Sequence, residues 1–377
     1  MLNQRPGNDS NALNPRRHEA VRRVTCVDAF CGAGGLSLGL SRAGIDVVLG
    51  FDHDRVAVET LTANPTLVRH PVVQRDLQSM LGGRLLDELE MCPGELDLLA
   101  GGPPCQGFSV QRTIGGDEDS RNLLVHDYGD LIAEVQPKMF MLENVPGLGG
   151  RRGRSVLEQF RTRMAEIGYG TDQRTLDAQD YGVPQRRRRV ILIGSRSGLN
   201  RADNPFPWPE PMGTRVTVWD AIGHLPAPPA DGSLHSDVPN HRADRLSALN
   251  LERIRAIKGG QGRTHLPKEL LAECHRREAD LIGHRNVYGR MSWDDVAPTI
   301  TARFDSFTRG MFGHPEQDRT VSLREGALLQ TFPDDYFFSG TKVEVARQIG
   351  NAVPPKLAEA IGRSILEFAN AEDADAA

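Results

Sequence analysis

The chain has 377 residues, of which 39% are hydrophobic and 25% are charged, and its formal net charge at pH 7 is −5. This length favours one large domain with a smaller companion. The negative net charge argues against a surface that is basic throughout, so any contact with nucleic acid must use a local basic patch. No apolar run approaches the roughly 20 residues of a membrane span, and the N-terminus lacks the apolar centre of a secretory signal. We therefore expect a soluble, cytoplasmic protein without membrane contact.

The cysteines stand at positions 26, 31, 92, 105 and 274 and form neither a CxxC pair nor a Cys/His cluster with zinc-ligand spacing. We expect reduced thiols and no bound metal. Cys26 and Cys92 are interpreted as small hydrophobic side chains of the core.

Five short apolar runs follow residues 1–20, which are predicted to be disordered. The runs are "VTCVDAF", "VVLGF", "VVQRD", "LDLLAGG" and "KMFMLENV", and amphipathic segments separate them. Strands that alternate with helices predict βαβ units, and hence an α/β fold with a doubly wound, mostly parallel sheet. Ligands of such sheets bind at the carboxyl ends of the strands.

A glycine-rich turn follows the first run, where "CGAGG" places glycines at 32, 34 and 35 before a helix-like segment. Such a turn lets the backbone approach a ligand and points the amides of the helix N-terminus at it. A dinucleotide fingerprint needs glycine at position 37, where the chain has Ser37, so a nicotinamide cofactor is weakly supported. A tight turn without a ligand remains an alternative.

Acidic residues end the second and third runs. Asp52, in "FDHD", can accept hydrogen bonds from both hydroxyls of a ribose, although it could instead cap the next helix, a role that Asp54 serves equally well. His53 offers a flat face to an adenine, and Asp76, in "RDLQ", can accept from the adenine amino group. These residues predict an adenosine-shaped site.

Cys105 lies in "GGPPCQGFS", which follows the fourth run and is too rich in glycine and proline for regular helix or strand. A thiol at a strand end can have its pKa lowered by nearby cations or amides, so Cys105 is a candidate nucleophile. Glu143, in "ENV", ends the next strand and should lie at the same edge of the sheet. An ionised Glu143 would raise the thiol pKa, so we interpret it as a protonated donor to a substrate nitrogen, with helix capping as the structural alternative.

Arginines cluster in "RRGR" at 151–154 and in "QRRRRV" at 185–190. A solvated surface explains the first cluster equally well. The second cluster leads directly into the apolar run "VILIG", which is predicted to be a strand. Some of its arginines must therefore point toward the groups that lie at that end of the strand.

The chain becomes rich in proline and irregular from about Leu199, which predicts a smaller domain over residues 199–337. A helix-like segment, "PPKLAEAIGRSILEFA", returns near the end and is expected to pack on the first domain. The larger domain is therefore predicted to comprise residues 21–198 and 338–368, and residues 369–377 are predicted to be a disordered tail.

A set of motifs occurs in a specific order: "DAFCGAGG", "FDHD", "GGPPCQGFS", "DSRNLL", "ENV", "QRRRR", "RTVSLREGALLQTFPD" and "QIGNAVPP". Through these motifs, and over most of its length, the chain resembles the DNA (cytosine-5) methyltransferases of bacterial restriction-modification systems. The resemblance implies the fold of S-adenosylmethionine-dependent methyltransferases. It also implies methyl transfer from S-adenosylmethionine to C5 of a cytosine flipped out of double-stranded DNA, and a cognate restriction endonuclease that acts separately.

The same resemblance implies roles for individual residues. Cys105 would attack C6 of the cytosine, Glu143 would bind N3 and the amino group, and Arg187 and Arg189 would hold the thiol loop and the base. The implied cofactor contacts are Phe30, Gly32, Gly35, Leu36, Asp52, His53, Asp76, Leu77, Leu124, Asn351 and Val353. The implied DNA contacts are Gln106, Ser109, Arg121, Gln185, Thr299, Thr301, Arg303 and Arg309, and residues 109–121 match the loop that closes over the flipped base.

Three other functions remain open at this level. A tRNA cytosine-5 methyltransferase would share the motifs, but the long segment over residues 199–317 suits a domain that reads duplex DNA in the major groove. A non-catalytic DNA-binding relative could dispense with Cys105 and Glu143, which are both present. A nicotinamide-dependent dehydrogenase is the weakest alternative, and the sequence does not reveal which DNA sequence is recognised.

Overall fold

The computed structural model describes residues 23–104, 123–150, 153–197, 199, 205–273 and 287–376. The described strands form one seven-stranded sheet, in the order β3-β2-β1-β4-β5-β7-β6. Among them only β7 runs antiparallel to its neighbours, β5 and β6. The strands are β1 (Thr25–Ala29), β2 (Asp46–Asp52), β3 (Val72–Gln74), β4 (Leu98–Gly101), β5 (Met139–Asn144), β6 (Gly170–Asp177) and β7 (Arg188–Ser195).

Helices cover both faces of this sheet. They are α1 (Gly35–Ala43), α2 (Arg55–Thr62), α3 (Arg84–Leu89), α4 (Leu123–Val135), α5 (Pro146–Gly149), α6 (Arg154–Glu166), α7 (Val218–Ile222), α8 (Ala248–Arg255), α9 (Leu323–Leu329), α10 (Lys342–Asn351) and α11 (Pro355–Ala376). Side chains alternate along β1, so that Cys26 packs with α1 and α11 while Val27 packs with α3, α4 and α6 on the other face. The predicted doubly wound, mostly parallel α/β fold is confirmed.

Two further cores lie outside the two faces of the sheet. One joins Phe304 and Phe312 to α9, to α10 and to Leu61 of α2. The other is small and gathers Ile254, Leu266 and Phe307, among others, from a part of the chain with little regular structure. This small core lies within residues 199–337, for which a smaller domain was expected.

The cores extend across both expected domain boundaries. Phe206 and Trp208, which follow the boundary at 199, are buried in the core shared by α1 and α11. Phe332 and Tyr336, which precede the boundary at 338, pack with Ile349 of α10. The segments near these boundaries are therefore packed with the large domain.

The prediction of a disordered tail from residue 369 is wrong for residues 369–376, because α11 continues to Ala376. Phe368 is buried in the core, and the carboxylate of Glu372 accepts hydrogen bonds from Ser195 and Ser197 at the end of β7. These contacts stabilise the helical conformation of the acidic segment at the end of α11. Even α11, at 22 residues, is not long and apolar enough to cross a membrane, and neither is any other helix of the described residues.

The two cysteines assigned to the core differ in burial. Cys26 is fully buried on β1, as predicted. Cys92 is exposed, so its assignment to the core is wrong. It lies in the turn after α3, where its main-chain amide donates to Glu95, and short turns of this kind run over the surface.

Candidate active site

The carboxyl ends of β1, β2, β4 and β5 meet at one edge of the sheet, where the connection between α10 and α11 also lies. These segments enclose a cavity of about 370 Å³, a size within the range of roughly 300–1,000 Å³ that is usual for ligand pockets. Most of the implied cofactor contacts line it, namely Phe30, Gly32, Gly35, Leu36, Asp52, His53, Leu124, Asn351 and Val353. One cavity thus gathers residues that are more than 300 positions apart in the sequence.

The turn after β1 takes a backbone shape that brings the main chain close to the cavity. Phe30, Gly32 and Gly34 have φ values of 61°, 51° and 83°, and a left-handed phenylalanine is the kind of strain that is found at functional sites. A Cβ atom on Gly35 would lie 2.1 Å from the carbonyl oxygen of Val353. Glycine is required at position 35 because the connection between α10 and α11 approaches so closely.

Ser37, the residue that departs from the dinucleotide fingerprint, hydrogen-bonds to a buried carboxyl. Its Oγ lies 2.5 Å from Oδ2 of Asp28, while Oδ1 of Asp28 has no hydrogen-bond partner within the described residues. Burial raises the pKa of Asp28 from its ordinary value of 3.8 to about 7, against the opposing effect of the Ser37 hydrogen bonds. Sequence reasoning missed Asp28, although the motif "DAFCGAGG" begins with it.

Asp28 should make the stability of the protein depend on pH. Between about pH 4 and pH 7 the folded state keeps a proton that the unfolded state has lost, so the free energy of unfolding falls as the pH rises. This one group contributes a slope of up to about 1.4 kcal/mol per pH unit. Asp28→Asn is expected to remove it in urea unfolding across this window, whereas Glu88→Gln, an exposed change on α3, should keep the wild-type slope. Equal slopes in the wild type and Asp28→Asn would contradict this account.

The carboxylate of Asp52 accepts a hydrogen bond from the glycine turn and does not cap α2. Its Oδ2 accepts from the main-chain nitrogen of Gly32 at 2.9 Å, and its Oδ1 accepts from the nitrogen of Asp54 at 2.8 Å. Asp54 itself is the N-cap of α2. The ring of His53 lies at the mouth of the cavity with 73% of its side chain exposed, and its Nδ1 is 3.1 Å from Asp52.

Asp76 and Leu77 do not line the cavity. Asp76 is exposed, and its Oδ1 accepts from the main-chain nitrogen of Ser79 at 2.8 Å, at the start of a short 3-10 helix. Leu77 is buried in the core beneath α3 and α4. The structure thus places this part of the implied cofactor site beside the cavity rather than on its wall.

Glu143 is the acidic group at the inner end of the cavity. It lies on β5, which pairs in parallel with β4, the strand that precedes the segment leading to Cys105. Its Oε1 is 2.7 Å from Nε of Arg189 on β7, and both side chains are about nine-tenths buried. Arg189 also donates from Nη1 to the carbonyl oxygen of Arg188 at 2.8 Å. Glu143 and Arg189 therefore form a buried pair, a contact that was not predicted from the sequence.

The segment that leads to Cys105 is held against β5. The side-chain nitrogen of Asn144 donates to the carbonyl oxygen of Pro103 at 2.9 Å, and a Cβ atom on Gly102 would lie 3.0 Å from Oε2 of Glu143. Asn144 was not assigned a role from the sequence, although it is the middle residue of "ENV". Cys105 lies outside the described residues, as do Gln106, Ser109 and Arg121.

Arg187 differs from the role implied for it. Its guanidinium is almost fully buried and donates to the carbonyl oxygens of Ile300, Gly350 and Ala352 at 2.8–2.9 Å. Burial lowers the pKa of Arg187 well below its ordinary value, an effect that Arg189 strengthens and Glu143 opposes. In the described contacts, Arg187 joins β7 to α10 and to the chain near Ile300, and it does not line the cavity.

Gln185 is fully buried, so its assignment as a DNA contact is wrong in this structure. Its Nε2 donates to Leu329 and Gln330, and its Oε1 accepts from the main-chain nitrogen of Ile300 at 2.7 Å. Arg186, the next residue, points outward and contacts both oxygens of Asp295 at 2.6–2.7 Å. Alternate residues of "QRRRR" thus point inward and outward.

The remaining described residues among the implied DNA contacts are exposed or half-buried. Thr299 is exposed and donates from Oγ1 to the carbonyl oxygen of Arg186, while Thr301 is half-buried. Arg303 and Arg309 are exposed, and Nε of Arg303 lies 3.1 Å from Asp305. Within the described ranges, no group of three or more histidine, cysteine, aspartate or glutamate side chains could hold a metal ion.

Comparisons with known proteins show which family the chain belongs to. The family model for C-5 cytosine-specific DNA methylases matches residues 24–367. The chain is 37% identical over 346 residues to the Type II methylase M.HgiDII of Herpetosiphon aurantiacus, covering 91% of this chain and 95% of the relative. It is 36% identical over 352 residues to the Type II methyltransferase M1.HphI of Haemophilus parahaemolyticus, covering 92% and 87%.

A solved structure from E. coli, described as a DNA modification methyltransferase encoded within a prophage, superposes with a TM-score of 0.70 at 28% identity. The match covers 92% of this chain and 99% of that one. Because the matching family model describes methylases of DNA, the tRNA alternative is not favoured. The chain belongs to the C-5 cytosine-specific DNA methylase family, and it is a DNA (cytosine-5) methyltransferase.

Proposed function

We propose that the methyl donor is S-adenosylmethionine and that it binds in the cavity at the ends of β1 and β2. When bound, it supplies a methyl group on a positively charged sulfonium. The cavity suits such a ligand, because Phe30, Leu36 and Val353 provide apolar walls and Asp52 provides acceptor oxygens for a ribose. The glycine turn lets the main chain approach the ligand closely.

The observation that carries the proposed mechanism is the buried pair of Glu143 and Arg189 beside the segment leading to Cys105. C5 of cytosine is a poor nucleophile, so a thiolate of Cys105 first adds to C6 while Glu143, in its protonated form, donates to N3. The other oxygen of Glu143 accepts from the amino group, and Arg189 holds the carboxyl in place. The electron-rich C5 takes the methyl group as the carbon–sulfur bond to that group breaks. Water then takes the C5 proton, the bond between C6 and the thiolate breaks, and N3 returns its proton to Glu143.

The target cytosine must leave the base stack to reach these groups, at a cost of a few kcal/mol. We propose that residues 109–121 close over the flipped base, and that residues 199–337 form the target-recognition domain. The separate small core around Ile254 and Phe307 supports that division. The exposed Thr299, Arg303 and Arg309 lie within that domain and are proposed to contact DNA.

The likeness to Type II methyltransferases supports a restriction-modification role. We propose that the protein acts in the bacterial cytoplasm, at the nucleoid, and that a cognate restriction endonuclease cuts the same sequence separately. Methylation-sensitive sequencing of DNA from an expressing host would identify the protected sequence. Protection of that DNA against a particular endonuclease would identify the partner.

Methyl transfer from labelled S-adenosylmethionine to duplex DNA and to tRNA tests the proposed function directly. We expect label at C5 of cytosine in duplex DNA and none in tRNA. DNA that contains 5-fluorocytosine should trap a covalent complex, because fluorine at C5 cannot be lost as a proton is. Label in tRNA alone, or no adduct at Cys105, would overturn the proposal.

Glu143→Gln is expected to lower kcat by roughly 10²- to 10⁴-fold, because the amide can hydrogen-bond to the base but cannot give N3 a proton. Affinity for S-adenosylmethionine, measured by calorimetry, should stay close to that of the wild type. Glu158→Gln, an exposed change on α6, should leave both quantities unchanged. A Glu143→Gln variant with wild-type kcat would exclude proton donation by this residue.

A further inference from the structure

A second cavity lies at the edge of the sheet opposite the candidate active site. Its volume is about 580 Å³, and it lies where β1, β2 and β3 begin, whereas the candidate active site lies where these strands end. The five residues of β1 alone span roughly 17 Å between the two edges. The two cavities share no lining residue, so this second cavity is separate from the methyl-transfer site.

Three arginines from separate segments line this second cavity. Arg23 precedes β1, Arg42 lies in the last turn of α1, and Arg69 lies shortly before β3. Asp46, the first residue of β2, is the one carboxylate among the described lining residues, so the arginines outnumber it three to one. In a chain whose net charge is −5, this local excess of positive charge favours the binding of an anion.

The three arginines have few partners of their own. Within the described residues none of them forms an ion pair, and their guanidinium groups make one hydrogen bond, from Nε of Arg69 to the carbonyl oxygen of Thr66 at 3.3 Å. The C-terminus of α1 favours a cation at Arg42, but it does not account for Arg23 or Arg69. Because each guanidinium carries five N–H donors, most of these donors remain available to a ligand.

His70 adds a buried polar atom without a partner to the same wall. Its Nδ1 lies 3.0 Å from the carbonyl oxygen of Pro71, a contact that assigns the proton to Nδ1. Its Nε2 is buried and has no hydrogen-bond partner within the described residues. Ile45 and Val47 add buried apolar side chains to the lining. The cavity therefore combines unpartnered polar groups with apolar surface, as ligand pockets usually do.

The position of the cavity and its arginines indicate the class of anion. Duplex DNA that presents a cytosine at the opposite edge of the sheet would have to bend around the molecule to reach it. Guanidinium groups match phosphate oxygens with pairs of parallel hydrogen bonds, and the cavity is large enough for more than one phosphate. We propose that it binds the phosphate chain of a small molecule, either a nucleoside polyphosphate or inorganic polyphosphate. The inference does not depend on the identity of the methyl donor.

Calorimetric titration of the full-length protein with ATP and with tripolyphosphate tests the inference. Both titrations contain saturating S-adenosylmethionine, so that the adenosine of ATP does not enter the other cavity. We expect one binding site for each ligand. Tighter binding of ATP would assign its nucleoside to the apolar surface near Ile45, and equal affinities would assign binding to the phosphate chain alone.

Variants of the arginines locate the site. Arg42→Met and Arg69→Met are each expected to weaken tripolyphosphate binding by about 10-fold, because each removes charge-assisted hydrogen bonds. Arg42→Glu should weaken it further, since it also places a negative charge beside the phosphates. The matched control is Arg84→Met, which removes an exposed arginine of α3 outside both cavities and should bind as the wild type does. Methyl transfer to DNA without the ligand should be unchanged in all four variants.

Three outcomes would overturn the inference. The first is a wild type that binds neither ATP nor tripolyphosphate. The second is equal weakening in Arg84→Met and in the cavity variants, which would show a general attraction of phosphate to the protein surface. The third is displacement of tripolyphosphate by a short duplex that lacks cytosine, which would assign these arginines to DNA. None of these outcomes bears on methyl transfer, which is measured separately.

Discussion

Serine at position 105 is expected to abolish methyl transfer to duplex DNA while affinity for S-adenosylmethionine stays close to that of the wild type. A hydroxyl is a far weaker nucleophile than a thiolate at neutral pH, so addition to C6 would not occur. The segment before Cys105 is held by Asn144 and lies against Glu143, and neither contact involves the thiol. Activity on duplex DNA and calorimetry with S-adenosylmethionine measure the two effects separately.

The control for this variant is Cys92→Ser, which changes an exposed cysteine in the turn after α3 and should keep full activity. Trapping with 5-fluorocytosine DNA adds a second measurement, since Cys105→Ser should form no adduct. Loss of both turnover and cofactor binding in Cys105→Ser would point to a structural cysteine. Turnover that survives the change would exclude the covalent mechanism.

Arg187→Met is expected to lower the free energy of unfolding by roughly 3–5 kcal/mol, because it leaves two buried carbonyl oxygens and one partly buried carbonyl oxygen without their donor. Removing a guanidinium whose charge is costly to bury offsets part of the loss. The midpoint of urea unfolding measures the effect. Because Ile300, Gly350 and Ala352 lie more than 100 residues from Arg187, the loss should loosen the contact between β7 and the later part of the chain.

The matched control is Arg188→Met, which removes the exposed neighbouring arginine and should change the free energy of unfolding by about 0.5 kcal/mol or less. Comparable losses in the two variants would contradict the structural role given to Arg187. A stable Arg187→Met protein that fails only in DNA binding would restore the role implied by the family resemblance.

The position of Glu143 shows how far the strand-end rule extends. The order of strands placed Glu143 at the same edge of the sheet as the segment that leads to Cys105, and the structure adds Arg189, whose Nε is 2.7 Å from Glu143. The rule works because parallel strands end at the same edge whatever their side chains are. The rule does not give the direction of each side chain in an irregular segment. Asp76 was therefore expected to contact the cofactor, whereas in the structure it does not line the cavity.

The sequence by itself determined the α/β fold, the glycine turn, the position of Glu143 and the family, since each follows from local patterns or from short motifs in order. Tertiary structure alone decided which residues of "QRRRR" point inward, because the partners of Gln185 and Arg187 lie more than 100 residues away. It also decided that the acidic tail is helical, through Glu372 and the end of β7. Contacts between residues so far apart in the sequence depend on how the whole chain folds, and a local sequence pattern does not predict them.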